Sequence, residues 1–153
     1  MRYFIVAALF SLILPIASPQ SAPAGWKLIR DSKGACQIAV PEDWTPSENP
    51  GSAIFQDTAT AIAVITSQPG QSLKPLTESL QKLLRIPKEK MFENTARRVY
   101  YQEKIARDAK DSNAFIAVVP GKGGTCSSRV VFLPSVSEET AKKITLSVGP
   151  VQE

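Results

Sequence analysis

The stretch Gly34-Ala-Cys-Gln-Ile-Ala-Val-Pro-Glu-Asp-Trp44 decides how the chain is read. Cys36, Ile38 and Val40 alternate with Gln37 and Ala39, the period of two that pleating imposes on the faces of a strand. Pro41 has no N–H to give to a ladder and ends the pairing. Glu42 and Asp43 make the turn, and Trp44 is expected back in the core over the end of the sheet. The other cysteine, Cys126, lies far along the chain in the strand-like run Thr125–Leu133. A bond between the two cysteines ties an early strand to a late one, and everything between folds around the tie.

Compartment is read from the first residues. Met1-Arg2-Tyr3 is a short positive start. Phe4–Leu14 is apolar except for Ser11, and a Ser/Pro/Ala-rich stretch then ends in Ala22-Pro23-Ala24. That is the layout of a secretory signal peptide with an A-x-A cleavage site. The apolar run is about a dozen residues, short of the ~20 that a membrane-spanning helix needs. The expected organisation is therefore a leader, 1–24, and a single domain, 25–153, exported to the periplasm or the extracellular space without stable membrane insertion. Of the +4 formal charge of the 153 residues, only Arg2 falls in the leader. The remaining positive balance is mild. It favours acidic surfaces weakly and gives no argument for nucleic acid.

An exported chain with two cysteines invites a disulfide. A Cys36–Cys126 bond closes a loop of about 90 residues, on the order of 4–5 kcal/mol in the chain-entropy model. The pair has no C-x-x-C spacing, so redox catalysis is not expected. The chain has no histidine. Ser–His and Cys–His dyads are thereby excluded. A structural zinc site lacks soft ligands, and no metal or cofactor is expected.

Along the chain, Trp26–Arg30 reads as an edge strand and Asp31-Ser-Lys-Gly34 as a turn. Thr45–Ser52 is a polar loop. Ala53–Asp57 and Ala61–Thr66, joined at Thr58–Thr60, form an antiparallel hairpin, the second strand apolar on both faces and hence covered on both sides. Leu73, Leu76, Leu80, Leu83 and Leu84 recur at the spacing of an amphipathic helix, with Pro75 in its first turn and Pro87 stopping it. Phe92 is expected to pack inward. Met91–Ile105 reads as a strand from Arg98 onward, or as a short helix from Glu89 running into it. Arg107–Asn113 is a charged hairpin tip between strands, Ala114–Val119 follows, and Pro120–Gly124 turns the chain. A last helix is capped by Ser135 or Ser137, with Glu138 and Glu139 in its first turn and Ala141, Ile144 and Val148 as its buried stripe.

Hairpins dominate and helices separate runs of strands, so the fold class is α+β, a mainly antiparallel sheet flanked by two helices. In this order, most of Gly34–Val148 resembles the PsbP-like α/β/α sandwich proteins. The residues that carry the resemblance are the strand end Ile38-Ala-Val-Pro-Glu-Asp-Trp44, the central helix Leu73–Arg85 between two groups of strands, and the closing helix Ser137–Val148. The family includes an extrinsic photosystem II subunit, a nuclear-transport factor that binds a small GTPase, and many small exported bacterial proteins. The resemblance implies a sheet scaffold that binds a protein partner, here in the cell envelope, with no shared active site and no binding residue to carry over.

Chemistry-bearing patterns are few. Gly121-Lys122-Gly123-Gly124-Thr125 lacks the G-x-x-x-x-G-K-[ST] spacing of a phosphate loop and precedes a strand, so it reads as a hairpin turn. Glu42 and Asp43 are adjacent carboxylates in a turn. Arg97 and Arg98 beside Tyr100 and Tyr101 make a basic, aromatic surface suited to an anion or an acidic partner. Lys82, Arg85, Lys88 and Lys90 suit the negative end of the leucine helix. Two functions follow. One is a non-catalytic exported binding or accessory module using a sheet face or the Arg97–Tyr101 region. The alternative is a small envelope hydrolase or ligand carrier, for which Glu42, Asp43 and Lys122 should line a deep polar pocket.

Overall fold

Ten strands and two α-helices make up the computed structural model, which describes residues 22–49, 51–55, 61–107, 110–134 and 136–152. The proposed leader lies outside the described residues up to position 21. Strands β1 (Trp26–Arg30), β2 (Cys36–Pro41) and β10 (Gly149–Pro150) form a three-stranded sheet with β2 in the middle. Strands β3 (Thr45–Pro46), β4 (Ser52–Phe55), β5 (Ala61–Pro69), β6 (Met91–Asn94), β7 (Val99–Arg107), β8 (Lys110–Gly121) and β9 (Gly124–Phe132) form a seven-stranded sheet in the order β3-β4-β5-β9-β8-β7-β6. Every pairing is antiparallel. The fold is α+β, as the pattern of elements implies.

Cys36 of β2 and Cys126 of β9 are disulfide-bonded, with their Cα atoms 5.6 Å apart. The bond joins one sheet to the other. Beside it, Ile38, Val40 and Trp44 are buried in one cluster with Ala63, Ile65, Phe115, Val130 and Phe132 of the larger sheet. Helix α2 (Glu138–Leu146) closes this inner side with Ala141 and Ile144. Its N-cap is Ser137, whose side chain accepts from the Thr140 N–H. Polar groups beneath the helix are satisfied. The Ser128 hydroxyl donates to the Thr145 carbonyl at 2.8 Å, and the Thr145 hydroxyl to Ala141 at 2.8 Å. Where the short β10 leaves β2 unpaired, the Ala39 N–H donates to the Ser147 hydroxyl at 2.8 Å.

The outer face is covered over Val99, Ala114 and Ile116, which are buried, but less so over β5, which corrects the expectation that β5 is buried on both sides. Ile62 and Val64 of β5 are only half-buried, as are Val118, Val131 and Tyr101 on the same face. Helix α1 is the larger correction. It spans Glu78–Leu83, is capped by Thr77 and buries none of its residues. Leu80, Leu83 and Leu84 are 39%, 76% and 43% exposed. Pro75 precedes the cap and lies outside the helix, which ends before Pro87 because Arg85 takes a left-handed φ of 55°. The cause is a tertiary clip. The Leu76 N–H donates to the Asn94 side-chain oxygen at 2.7 Å, and the Asn94 amide donates back to the Leu76 carbonyl at 2.9 Å. Leu76 is thereby tied to β6 ahead of the Thr77 cap and is not taken into the helix, so a local helical period loses to a tertiary contact.

Other boundaries move in the same sense. The polar loop 45–52 contains β3, and β5 runs on to Pro69. Residues 56–60, with the expected Thr58–Thr60 connection, lie outside the described residues, as do Ser135 and the tip residues 108–109. The β7–β8 hairpin is longer than expected, because cross-strand pairing continues from Val99↔Val118 to Arg107↔Lys110 and converts most of the expected tip into strand. The glycine-rich segment is a hairpin turn, with Gly121 opposite Gly124. Gly124 has no room for a side chain, since a Cβ there would run into the Gln68 carbonyl. Among the described residues no helix is long and apolar enough to cross a membrane.

Candidate functional site

The four residues singled out in the sequence lie along the β6–β7 hairpin, and the hairpin separates them. Its turn is built by Thr95. The Thr95 N–H donates to the Arg98 carbonyl at 2.9 Å, and its hydroxyl accepts from the N–H groups of Arg97 and Arg98 at 3.2 and 3.1 Å. Arg97 is therefore an exposed turn residue. In β6 the register shifts between Met91 and Glu93, so Phe92 and Glu93 both face Tyr100. This β-bulge places Phe92 on the inner side of the sheet edge. Tyr101 points to the opposite face, opposite Met91 and Ile116. There burial raises its pKa, Glu103 raises it further, and Arg129, which ion-pairs with Glu103 at 2.6 Å, works against the shift.

Arg98 and Tyr100 stay together on the inner side. Tyr100 is 8% exposed and lies in an aromatic group: 4.9 Å between ring centres to Phe92 and 5.9 Å to Phe115. Phe92 itself is 45% exposed, so it covers Tyr100 without being packed away as expected. Four further charges surround the group. Lys142 of α2 sits 5.4 Å from the Phe115 ring centre and pairs with Glu138 at 2.7 Å. Lys90, in a single 3-10 turn at Lys88–Lys90, donates to the Gln102 side chain at 3.0 Å. Glu93 pairs with one terminal nitrogen of Arg98 at 3.5 Å.

Two atoms here have no partner. Among the described residues, the Tyr100 hydroxyl and the Arg98 Nε are buried side-chain atoms that make no hydrogen bond. Burial first, then the negative charge of Glu138, pushes the Tyr100 pKa up to about 12 against the opposing charge of Arg98. Tyr100 is thus a neutral phenol. It offers a donor into a rim that carries both signs of charge.

A second feature lies beside the disulfide, where β5 ends and β8 turns into β9. A cavity of about 70 Å³ is lined by Lys33, Ser67, Lys122 and Thr125 beside the disulfide. That is well below the ~300–1,000 Å³ of ordinary ligand sites. Glu42 and Asp43 are exposed in the β2–β3 turn and do not line it. Nearby, Asp31 is a structural carboxylate that reads in the sequence only as part of a turn. It accepts from the Ala35 and Cys36 N–H groups at 2.8 and 2.9 Å and from the Ser67 hydroxyl at 2.5 Å. Burial pushes its pKa up, but these hydrogen bonds outweigh burial and leave the pKa lowered. Among the described residues no group of three or more His, Cys, Asp or Glu could hold a metal ion.

No protein-family model and no curated protein matches this sequence.

Proposed function

We propose that the chain is an exported, non-catalytic binding module, and that an acidic protein partner docks along its β6 edge. The observation that carries this reading is the composition of the edge segment Glu78–Arg98. Leu80, Leu83, Leu84 and Phe92 are exposed there. Six cations (Lys82, Arg85, Lys88, Lys90, Arg97, Arg98) stand among them against three acids (Glu78, Glu89, Glu93). A leucine stripe left in water is a poor solution for an isolated domain and a useful one for an interface. Surrounding cations steer an acidic surface to it. Export is supported by the leader-like residues 1–24 and by a disulfide of the kind that persists in oxidising compartments. A PsbP-like scaffold, which binds through its surface, is compatible with the antiparallel sheet and closing helix.

The test is site-specific photo-crosslinking in the native envelope fraction, with the photoreactive residue at position 83 and, as control, at position 42. One adduct formed from position 83, absent from position 42 and lost on Leu80→Ser with Leu84→Ser, supports the edge as the binding face. The same adducts from both positions, or none from 83, overturn it.

A further inference from the structure

We propose that Arg98 and Tyr100 form a seat for a single carboxylate carried by the partner, an Asp or Glu side chain or a chain terminus. The inference rests on the reading of the β6 edge as the binding face, and it specifies one contact made there.

Two buried donors without an acceptor are unusual, because folded proteins pair nearly all such groups. The phenol O–H of Tyr100 and the Nε–H of Arg98 are both of this kind among the described residues. Both belong to the first residues of the β7 side of the hairpin, two positions apart and so on one face. The Arg98 charge acts on the Tyr100 phenol. What both lack is an oxygen with lone pairs to spare, and a carboxylate supplies two such oxygens on one planar group.

The acids already present are otherwise engaged. Glu93 meets Arg98 at a terminal nitrogen, Nη1, leaving Nε open. Glu138 is close enough to act on Tyr100, yet its Oε1 is held by Lys142 at 2.7 Å and its side chain is 57% exposed on the first turn of α2.

The charge around the seat selects among anions. Arg98, Lys90 and Lys142 are positive, and Glu93 and Glu138 are negative. The rim thus carries one net positive charge, which matches a monoanion.

Access is past Phe92. Its ring lies against Tyr100 but is 45% exposed, and it is the bulged residue of a four-residue strand at the edge of the sheet. This half-exposed ring, which also meets Phe115 at 6.1 Å between ring centres, must move aside when the partner docks. The partner's chain then packs where Phe92 lay.

The test reads the Arg98 Nε–H directly, by nitrogen-15 NMR of the disulfide-bonded mature protein, with the resonance assigned through Arg98→Lys. The probe is N-acetyl-glutamate amide. N-acetyl-glutamine amide, sodium chloride and inorganic phosphate serve as comparisons. A lone carboxylate seat should bind on the order of 1 mM. The expected result is a saturable shift of the Arg98 resonance with the glutamate probe alone, weakened five- to tenfold by Tyr100→Phe. An equal response to the glutamine probe or to chloride overturns the seat. A stronger response to phosphate overturns the carboxylate assignment. If Glu138→Gln alone moves the resonance as far as the probe does, Glu138 is already the acceptor and the proposal fails. A position-83 crosslink that persists while the Arg98 resonance ignores the probe sinks the seat and leaves the binding module standing.

Discussion

Replacing Cys36 and Cys126 together by alanine should cost the domain about 4–5 kcal/mol, because the bond constrains the unfolded chain more than the folded one. The two residues are 90 apart in sequence, so the unfolded chain regains the freedom of a loop containing β3 to β8. In the folded state the same bond joins β2 of the smaller sheet to β9 of the larger. The two cysteines are 1% and 0% exposed, so the space their sulfurs leave adds to the cost. Against a usual domain stability of about 5–15 kcal/mol, the loss is about a quarter or more of the total. Urea unfolding should show a lower midpoint, with a steeper slope as the released chain exposes more surface on unfolding. Reduced parent protein should follow the double variant. A variant within about 1 kcal/mol of the parent would refute the reasoning. It would mean that the packing of Ile38, Val40 and Trp44 holds the sheets together and that the tie adds little.

Three further outcomes follow from particular side chains. Asp31→Asn should cost on the order of 1–3 kcal/mol at neutral pH by weakening three charge-assisted hydrogen bonds. With its folded pKa lowered, Asp31 contributes stability above the unfolded value of about 3.9 and loses it as pH falls through the folded one. Acid titrations of parent and variant should therefore converge at low pH. Tyr100→Phe should leave the free protein as stable or up to about 1 kcal/mol more stable, since it removes a buried hydroxyl without a partner; a clear loss in urea unfolding would show that the hydroxyl is already bonded. Because burial raises the Tyr100 pKa from 10.0 to about 12, the parent is unaffected by this titration below the first value and loses stability relative to the variant as pH rises from the first toward the second. Leu83→Ser should change stability by less than about 0.5 kcal/mol, whereas Ile144→Ala, at a site with 0% exposure, should cost about 2–5 kcal/mol by calorimetry.

The parts of the fold legible in the sequence are those where local pattern and tertiary packing agree. Cys36, Ile38 and Val40 alternate because one face of β2 meets the core, and Pro41 ends the strand because it cannot extend the ladder. Ser137, Glu138 and Ala141 announce α2 by cap, charge and stripe, and the helix is there. Hairpin ends were legible only approximately. Lys110–Asn113 carries charge and so reads as a tip, yet its partner strand runs opposite it to Arg107 and draws it into the ladder. At the site, the strand reading from Arg98 already puts Tyr100 on one face and Tyr101 on the other, and the structure agrees; the place of Phe92 could not be read. The bulge at Phe92 and Glu93 sets which side chains share the inner face, and no local pattern marks it. Lys142 and Glu138 reach the site from a helix 38 or more residues away from Tyr100, which only the folded sheet brings near.

The leucine helix carries the more general lesson. Its spacing of three and four is the signature of a face that is removed from water, and the signature does not say by what. Within one chain the default reading is the chain's own core, which is why Leu80, Leu83 and Leu84 read as buried. The Leu76–Asn94 clip ties Leu76 to β6 ahead of the Thr77 cap, and the stripe does not run as one continuous helix. Ile86 alone of its neighbours is buried, at 6% exposure, while Leu83 keeps 76%. An apolar period that the fold leaves unspent, on a segment richer in cations than the rest of the domain, is the pattern expected of an interface whose other half is another molecule. The same mismatch between period and burial makes the edge testable. If the Leu83 crosslink maps to an acidic partner segment, the stripe was selected for contact between chains, and its failure to predict the core is explained by that contact.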